Sequence, residues 1–271
     1  MAGIRMPLIE VKDVSYSYRG RTALSCVDLS IEAGSFVAVL GSNGAGKSTL
    51  ARILNATLLP TGGEVLVDGL SSSDIANSFG IRKTVGLVLQ NPDNQIIGDT
   101  VEDDVAFALE NMGMLPNWID SIVTDVLKYT GLSDLRFSDP HRLSGGQKQL
   151  LAIAGVLAMK PKCVVLDESL SMLDPKSRRS ILSLLHRLNR ENGLTIVMMT
   201  QDVSDAMDCD RVIILESGRI AASGAPGEVG LDDGFVSSLV SALKENGFPV
   251  RDGVVSEDDL IAVLTGGRER P

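Results

Sequence analysis

Phe36-Val37-Ala38-Val39-Leu40-Gly41-Ser42-Asn43-Gly44-Ala45-Gly46-Lys47-Ser48-Thr49 is the stretch that decides the fold. The run Phe36–Leu40 is apolar throughout, as a strand buried on both faces must be. The run Gly41–Thr49 fits G-x-x-x-x-G-K-[ST], and a helical pattern opens near Lys47. Strand, glycine-rich turn and helix in that order make an anion nest. The glycines let successive N–H groups point inward, and the helix adds its positive N-terminal end. Gly41, Ser42, Asn43, Gly44, Ala45, Gly46, Lys47, Ser48 and Thr49 are therefore expected to cradle the phosphates of a nucleotide. Lys47 would reach the β- and γ-phosphates, and the Ser48 hydroxyl would ligate Mg2+. An accidental glycine-rich turn is the bland alternative, and the flanking strand and helix count against it.

Outward from this loop, short β-branched runs alternate with helical patterns, which predicts an α/β protein with a largely parallel sheet. Strands are expected at Glu10–Val14, Val27–Ile31, Phe36–Leu40, Glu64–Val67, Val85–Leu89, Val164–Leu166, Thr195–Met199, Val212–Leu215 and Arg219–Ala222. Between about Thr100 and Pro161 the pattern turns helical, opened by a Thr100/Asp103 capping box and an acidic first turn. After Gly224 a tail carries two short helical patterns, near Phe235–Leu243 and Ser256–Leu264, and is too short for a core of its own.

The 271 residues fill one large domain with an appendage, and 44% hydrophobic against 22% charged residues exclude a disordered chain. Mean hydropathy is +0.17. With 35 acidic and 25 basic residues the net charge is −10, which repels phosphate backbones and argues against nucleic acid as a partner. The longest nearly uncharged apolar run, Leu150–Met159, falls well short of the ~18–20 residues of a membrane helix, and MAGIRMPLIEV has no apolar signal core. A chain on the cytosolic side is expected. Cys26, Cys163 and Cys209 lack metal-ligand spacing, so buried reduced thiols are expected.

A second apolar strand, Val164–Leu166, delivers Asp167 and Glu168 to the same sheet edge as the phosphate loop. Asp167 suits Mg2+ held through water, and Glu168 suits proton transfer from an attacking water. Ahead of it stands Leu143-Ser144-Gly145-Gly146-Gln147, followed by a helical pattern. That run resembles the signature motif of ABC-type ATPases, and its place after a helical insert and before Asp167-Glu168 is the order of that family. The resemblance covers about Ile9 to Ala225. It implies a P-loop NTPase fold of ABC type, with a mixed-sheet core, an antiparallel β subdomain, a helical subdomain at about 98–161 and a short C-terminal extension. The ATPase domain is expected over 1–225, and 226–271 as the extension, used in dimerisation.

The resemblance further implies ATP and Mg2+ as cofactors and assigns roles in register. Tyr18 stands where the adenine-stacking aromatic belongs, with Tyr16 as a core residue. Gln90 matches the glutamine that touches Mg2+ and the attacking water. Ser144, Gly145, Gly146 and Gln147 face the γ-phosphate held by a partner ATPase. Asp174 belongs to the loop crossing the interface between the two ATPases, and it also reads as an N-cap before Pro175.

Gln90 to Phe107, with its Pro92-Asp93-Asn94 turn, is similar to the energy-coupling factor (ECF) importers. That narrower resemblance implies a second ATPase subunit, a T-type transmembrane coupling subunit whose arginines would meet Asp93, and an S-type substrate-binding membrane subunit. The chain would sit peripherally on the cytoplasmic face of the membrane. Two positions depart from the family pattern. Gln201 stands where a histidine is usual, in Met199-Thr200-Gln201-Asp202, and Ser169 replaces a proline. Gln201 can donate a hydrogen bond to a γ-phosphate but cannot carry charge, so slow hydrolysis and a regulatory role stay open beside full activity. ATPase chains of chromosome maintenance are disfavoured because no heptads separate Lys47 from Ser144. Translation-associated ATPases carry two phosphate loops, and this chain has one.

Overall fold

The structure, a computed structural model, describes residues 7–231. It opens with a long hairpin of β1 (Pro7–Tyr18) and β2 (Arg21–Glu32). Strict alternation would send Val11 and Val14 to opposite faces. A bulge between them, with Asp13 at φ 49°, shifts the register so that both are buried. There follow β3 (Phe36–Leu40), α1 (Lys47–Leu54), β4 (Gly62–Val67), β5 (Leu70–Ser71), α2 (Ser78–Thr84), β6 (Val85–Val88), α3 (Val101–Asn111), α4 (Pro116–Thr130) and α5 (Gly145–Ala158). Then come β7 (Cys163–Asp167), α6 (Pro175–Asn192), β8 (Thr195–Thr200), α7 (Val203–Ala206), β9 (Arg211–Glu216) and β10 (Arg219–Gly224).

The strands form two sheets. One is antiparallel, in the order β2-β1-β4-β5, and the other runs β10-β9-β3-β8-β7-β6. In the second sheet only the β10–β9 pair is antiparallel. Its central strands are buried on both faces, and alternate residues go to opposite sides. Val37, Val39, Val165, Val197 and Met199 pack with α1 and the antiparallel sheet. Phe36, Ala38, Val164, Leu166, Ile196 and Met198 pack with α5 and α6.

Helices α3, α4 and α5 build a cluster of their own around Val105, Leu109, Val123, Leu127 and Leu151. Arg136 ties α3 to α4 by donating to Glu102, Asp120 and Thr124. Helix α5 serves both sides, with Leu151 and Ala154 turned to this cluster and Ala152, Ile153 and Val156 turned to the sheet.

All nine expected strands are present, most of them a residue or more longer than the apolar signal at one or both ends. Two short elements, β5 and α2, carry no readable periodicity. In α2 only Ile81 is buried while Phe79 is 65% exposed. The expectation of buried thiols holds for Cys163 and Cys209 and fails for Cys26. Cys26 sits at φ 50° opposite the hairpin bulge, its N–H donating to the Ser15 hydroxyl, and this turns it to solvent. The expected tail helices near 235–243 and 256–264 lie outside the described residues.

Candidate nucleotide site

Parallel register assembles the site. β8 lies between β3 and β7, pairing Leu40 with Thr200 and Asp167 with Met199, while β6 pairs Val88 with Leu166. The residues that follow, Gly41, Gln201, Glu168 and Gln90, therefore leave the sheet at one edge. The Gly41 N–H donates to the Thr200 carbonyl at 3.2 Å, and the Glu168 N–H to the Met199 carbonyl at 3.1 Å. These bonds extend the ladder one residue past the strands and fix the starting points of both loops.

The phosphate loop turns on Gly46, the N-cap of α1, at φ 110°. A Cβ there would stand 2.6 Å from the Ala23 carbonyl oxygen, so only glycine fits. Ala45 is buried and Asn43 is exposed at the tip. The Lys47 ammonium, its side chain 2% exposed, donates to the carbonyls of Gly41 (2.6 Å) and Ser42 (2.9 Å) and lies 2.8 Å from Glu168 Oε1. The Ser48 hydroxyl donates to Asp167 Oδ1 at 2.7 Å. Burial pushes the Asp167 carboxyl above the usual carboxylate range, with the Ser48 hydroxyl opposing that rise.

A cavity of about 540 Å³ opens over this loop, lined by Tyr18, Gly44, Lys47, Ser48, Thr49 and Glu168. Its size suits a nucleotide. Tyr18 is 42% exposed, packs edge-on against Tyr16 at 4.7 Å, and its hydroxyl oxygen lies 3.5 Å from the Thr49 hydroxyl. Tyr16 packs against the core beneath it. Arg21, Thr22, Ala23 and Ser217 also line the cavity, and sequence reading missed them. They come from the hairpin and the β9–β10 turn and carry no local motif.

Glu168 has φ 50°, a left-handed conformation that is uncommon outside glycine. Gln90 Nε2 donates to Glu168 Oε2 at 3.4 Å. Gln201 shares a small recess with Glu168 and Ser169. Ser169 is buried, and among the described residues its hydroxyl has no hydrogen-bond partner.

Ser48 and Asp167 offer the hard oxygen donors that Mg2+ prefers, and a cation would relieve the buried Asp167 carboxylate. Among the described residues no three His, Cys, Asp or Glu side chains cluster into a metal cage. The donor set thus fits an ion that takes most of its ligands from substrate and water.

The signature residues lie outside this cavity. Ser144 caps α5 in a reciprocal box, its hydroxyl accepting from the Gln147 N–H while Gln147 Oε1 accepts from the Ser144 N–H. Gly146 is buried against α6, where a Cβ would meet the Ser177 hydroxyl at 2.5 Å. Asp174 caps α6 by accepting from the N–H groups of Lys176 and Ser177 and from the Ser177 hydroxyl. The Ser177 hydroxyl and these amides hold the Asp174 carboxyl below the usual carboxylate range.

Asp93, expected to await an arginine, is paired within the chain to Lys148 of α5 at 2.6 Å. The turn around it is held by Gln95, whose side-chain amide bonds both the Leu89 N–H and the Leu87 carbonyl, and by Asp104, which accepts from the N–H groups of Ile97 and Gly98. Neither role was legible in the local pattern.

A nucleotide-sized cavity over a phosphate loop, with paired carboxylates delivered by a strand of the same sheet, defines a P-loop nucleotide-binding protein. The family profile described as ABC transporter matches residues 24–171. The energy-coupling factor transporter ATP-binding protein EcfA1 of Clostridioides difficile (strain 630) is 40% identical, over 95% of this chain and 98% of the relative. That of Symbiobacterium thermophilum is 44% identical, over 98% and 99%. Among solved structures, cbiO1 from Clostridium perfringens, described as part of the ABC transporter complex cbiONQ, matches with TM-score 0.79 at 35% identity, covering 89% of this chain and 97% of that one. The cassette MJ0796, as a post-hydrolysis dimer bound to ADP and Pi, matches with TM-score 0.73 at 32% identity, over 80% and 98%. The chain belongs to the ABC transporter family, among the ATP-binding proteins of energy-coupling factor transporters.

Proposed function

We propose that the chain binds and hydrolyses ATP as a subunit of an ECF-type importer at the cytoplasmic face of the membrane. It would couple hydrolysis to uptake of a vitamin, a related micronutrient or a transition-metal ion through T-type and S-type membrane subunits. The observation that carries the ATPase reading is the meeting of Lys47, Ser48, Gln90, Asp167 and Glu168 at one sheet edge. Support for the importer class comes from the names of relatives that match almost end to end. Among the described residues no helix is long and apolar enough to cross a membrane, so the pore is assigned to partner chains.

The loop amides and Lys47 bind the β- and γ-phosphates, and Tyr18 stacks on the base. Ser48, Gln90 and, through water, Asp167 would hold Mg2+. Bound Mg2+ supplies positive charge to the phosphate oxygens. When phosphate draws Lys47 away, the Glu168 carboxylate is freed to accept a proton from water as the water oxygen bonds to the γ-phosphorus and ADP leaves. Gln90 orients that water, and Gln201 donates an amide hydrogen bond to the γ-phosphate.

Ser144 to Gln147 and Asp174 would serve the nucleotide of a second ATPase subunit, facing it with the N-terminus of α5. Residues 1–225 would form the ATPase domain, with its helical subdomain at about 98–161, and 226–271 a pairing extension. A second reading, a weakly hydrolysing regulatory subunit, is favoured by one observation: Gln201 has no titratable group.

Affinity purification of the chain from solubilised membranes, with steady-state ATPase assays of what is recovered, tests the proposal. A second, different ATPase together with a T-type membrane protein, and turnover that depends on them, is expected. Recovery with another class of membrane permease would reassign the importer, and nucleotide binding without turnover would favour the regulatory reading.

A further inference from the structure

The first turn of α6 touches three parts of the site. Asp174 caps it, Ser177 abuts Gly146 of the signature helix, and Arg178 reaches across to the segment that follows β8. Arg178 acts there as a fork. Its Nε donates to Asp205 Oδ1 at 2.9 Å, and its Nη2 lies 2.5 Å from Asp202 Oδ2 and 2.7 Å from Asp205 Oδ2. Asp205 is buried, 5% exposed, and also accepts from the Thr200 hydroxyl at 2.9 Å. That hydroxyl in turn accepts from the Asp202 N–H at 3.0 Å, while Ser204 donates twice to Asp202 Oδ1.

Gln201 thus stands between two residues, Thr200 and Asp202, that are each bonded into one cluster. Its own side chain has no hydrogen-bond partner among the described residues. The cation of the cluster lies on another element.

We propose that Arg178 is the positioning residue that sets where Gln201 stands against Glu168 and the phosphate loop, by clamping the Thr200–Asp205 segment to the turn of α6 capped by Asp174. This rests on the reading of Gln201 as a γ-phosphate contact. A guanidinium is required because one planar fork spans two carboxylates, which a lysine ammonium cannot match. Without the fork, Asp205 would be a buried charge lacking its partner. Ser177 and Arg178 are neighbours, so any tilt of this turn moves Gln201 and the signature glycine Gly146 together. The group serving the chain's own nucleotide and the one offered to a partner's nucleotide are therefore both coupled to one turn, through Arg178 and Ser177.

The test uses the full chain in its assembled membrane complex. Arg178→Lys keeps a cation beside Asp205, so the fold is expected to survive where Arg178→Ala risks unfolding. Misplacing Gln201 is expected to lower kcat by about 10- to 100-fold with KM for ATP within about twofold, because the phosphate loop is untouched. Asp202→Asn, at the exposed end of the clamp, is expected to shift kcat in the same direction. A kcat within about twofold of wild type, or a loss confined to KM, overturns the proposal. Amide hydrogen exchange supplies a readout independent of turnover. Arg178→Lys should speed exchange across 200–206 and leave 41–49 unchanged, and equal exchange across 200–206 overturns the proposal. A wild-type complex with no turnover would sink the ATPase reading instead, leaving exchange to decide the role of Arg178.

Discussion

The Lys47 ammonium lies 2.8 Å from the Glu168 carboxylate, with the two side chains 2% and 11% exposed. The residue proposed to grip phosphate and the residue proposed to accept a proton are thus each other's counter-ions in this structure. On the proposed function, phosphate oxygens would compete for Lys47 with this carboxylate and with the Gly41 and Ser42 carbonyls.

Removing the competing charge should separate binding from chemistry. Glu168→Gln is expected to bind ATP at least as tightly as wild type, since Lys47 loses its internal anion. Turnover is expected to fall by about 10²–10⁴-fold, the usual worth of a general base. Equilibrium titration with ATP and steady-state hydrolysis check the two halves. Undiminished turnover would remove Glu168 from its role.

Asp167 gives a pH-dependent prediction. Because burial holds its carboxyl above the ordinary range, the folded chain binds a proton there more tightly than the unfolded chain does. That stabilisation is fully present below the unfolded pKa and is lost as pH rises through the folded one. At neutral pH the ionised carboxylate therefore costs stability. Asp167→Asn is expected to raise the Tm of the nucleotide-free chain at about pH 7, with the difference closing toward about pH 4. The same variant should weaken Mg2+-dependent ATP binding. Calorimetry across this range checks the sign, and a lower Tm at neutral pH contradicts it.

Gln201 offers a gain-of-function test. If its lack of a titratable group slows the reaction, Gln201→His raises the turnover of the reconstituted complex, and the added activity falls away below about pH 6 as the imidazole protonates. Equal turnover in the two proteins would mean that the amide suffices.

The Gly146–Ser177 contact predicts a steric effect. A methyl group at Gly146 would stand 2.5 Å from the Ser177 hydroxyl and 2.8 Å from its Cβ. Gly146→Ala is expected to cost about 1–3 kcal/mol, as overpacking does, and to lower Tm by about 2–4 °C per kcal/mol. Ser177→Gly should restore part of that Tm in the double variant, and failure of the second change to help would place the strain elsewhere.

The elements read correctly from sequence share one property: their chemistry is contiguous. The glycine-rich turn of Gly41–Thr49 is built by its own backbone, the all-apolar runs of β3 and β7 report burial on both faces, and the box at Thr100 closes within three residues. Patterns that fit within one turn or one strand are visible without knowing the fold. Asp174 belongs with them, since its capping bonds reach only two and three residues ahead.

What the tertiary structure alone decided is who meets whom. The insertion of β8 between β3 and β7 brings Gln201 beside Glu168, and no local pattern encodes that strand order. The fork from Arg178 to Asp202 and Asp205, the pairing of Asp93 with Lys148, the approach of Gly146 to Ser177 and the exposure of Cys26 all depend on packing or register between separate elements. The sequence by itself determined the phosphate loop, the carboxylate pair and the elements that carry them, because backbone geometry and burial are local. Only the fold decided which charges compensate one another, because such partners lie tens to more than a hundred residues apart and meet only once the two clusters on either face of the sheet have formed.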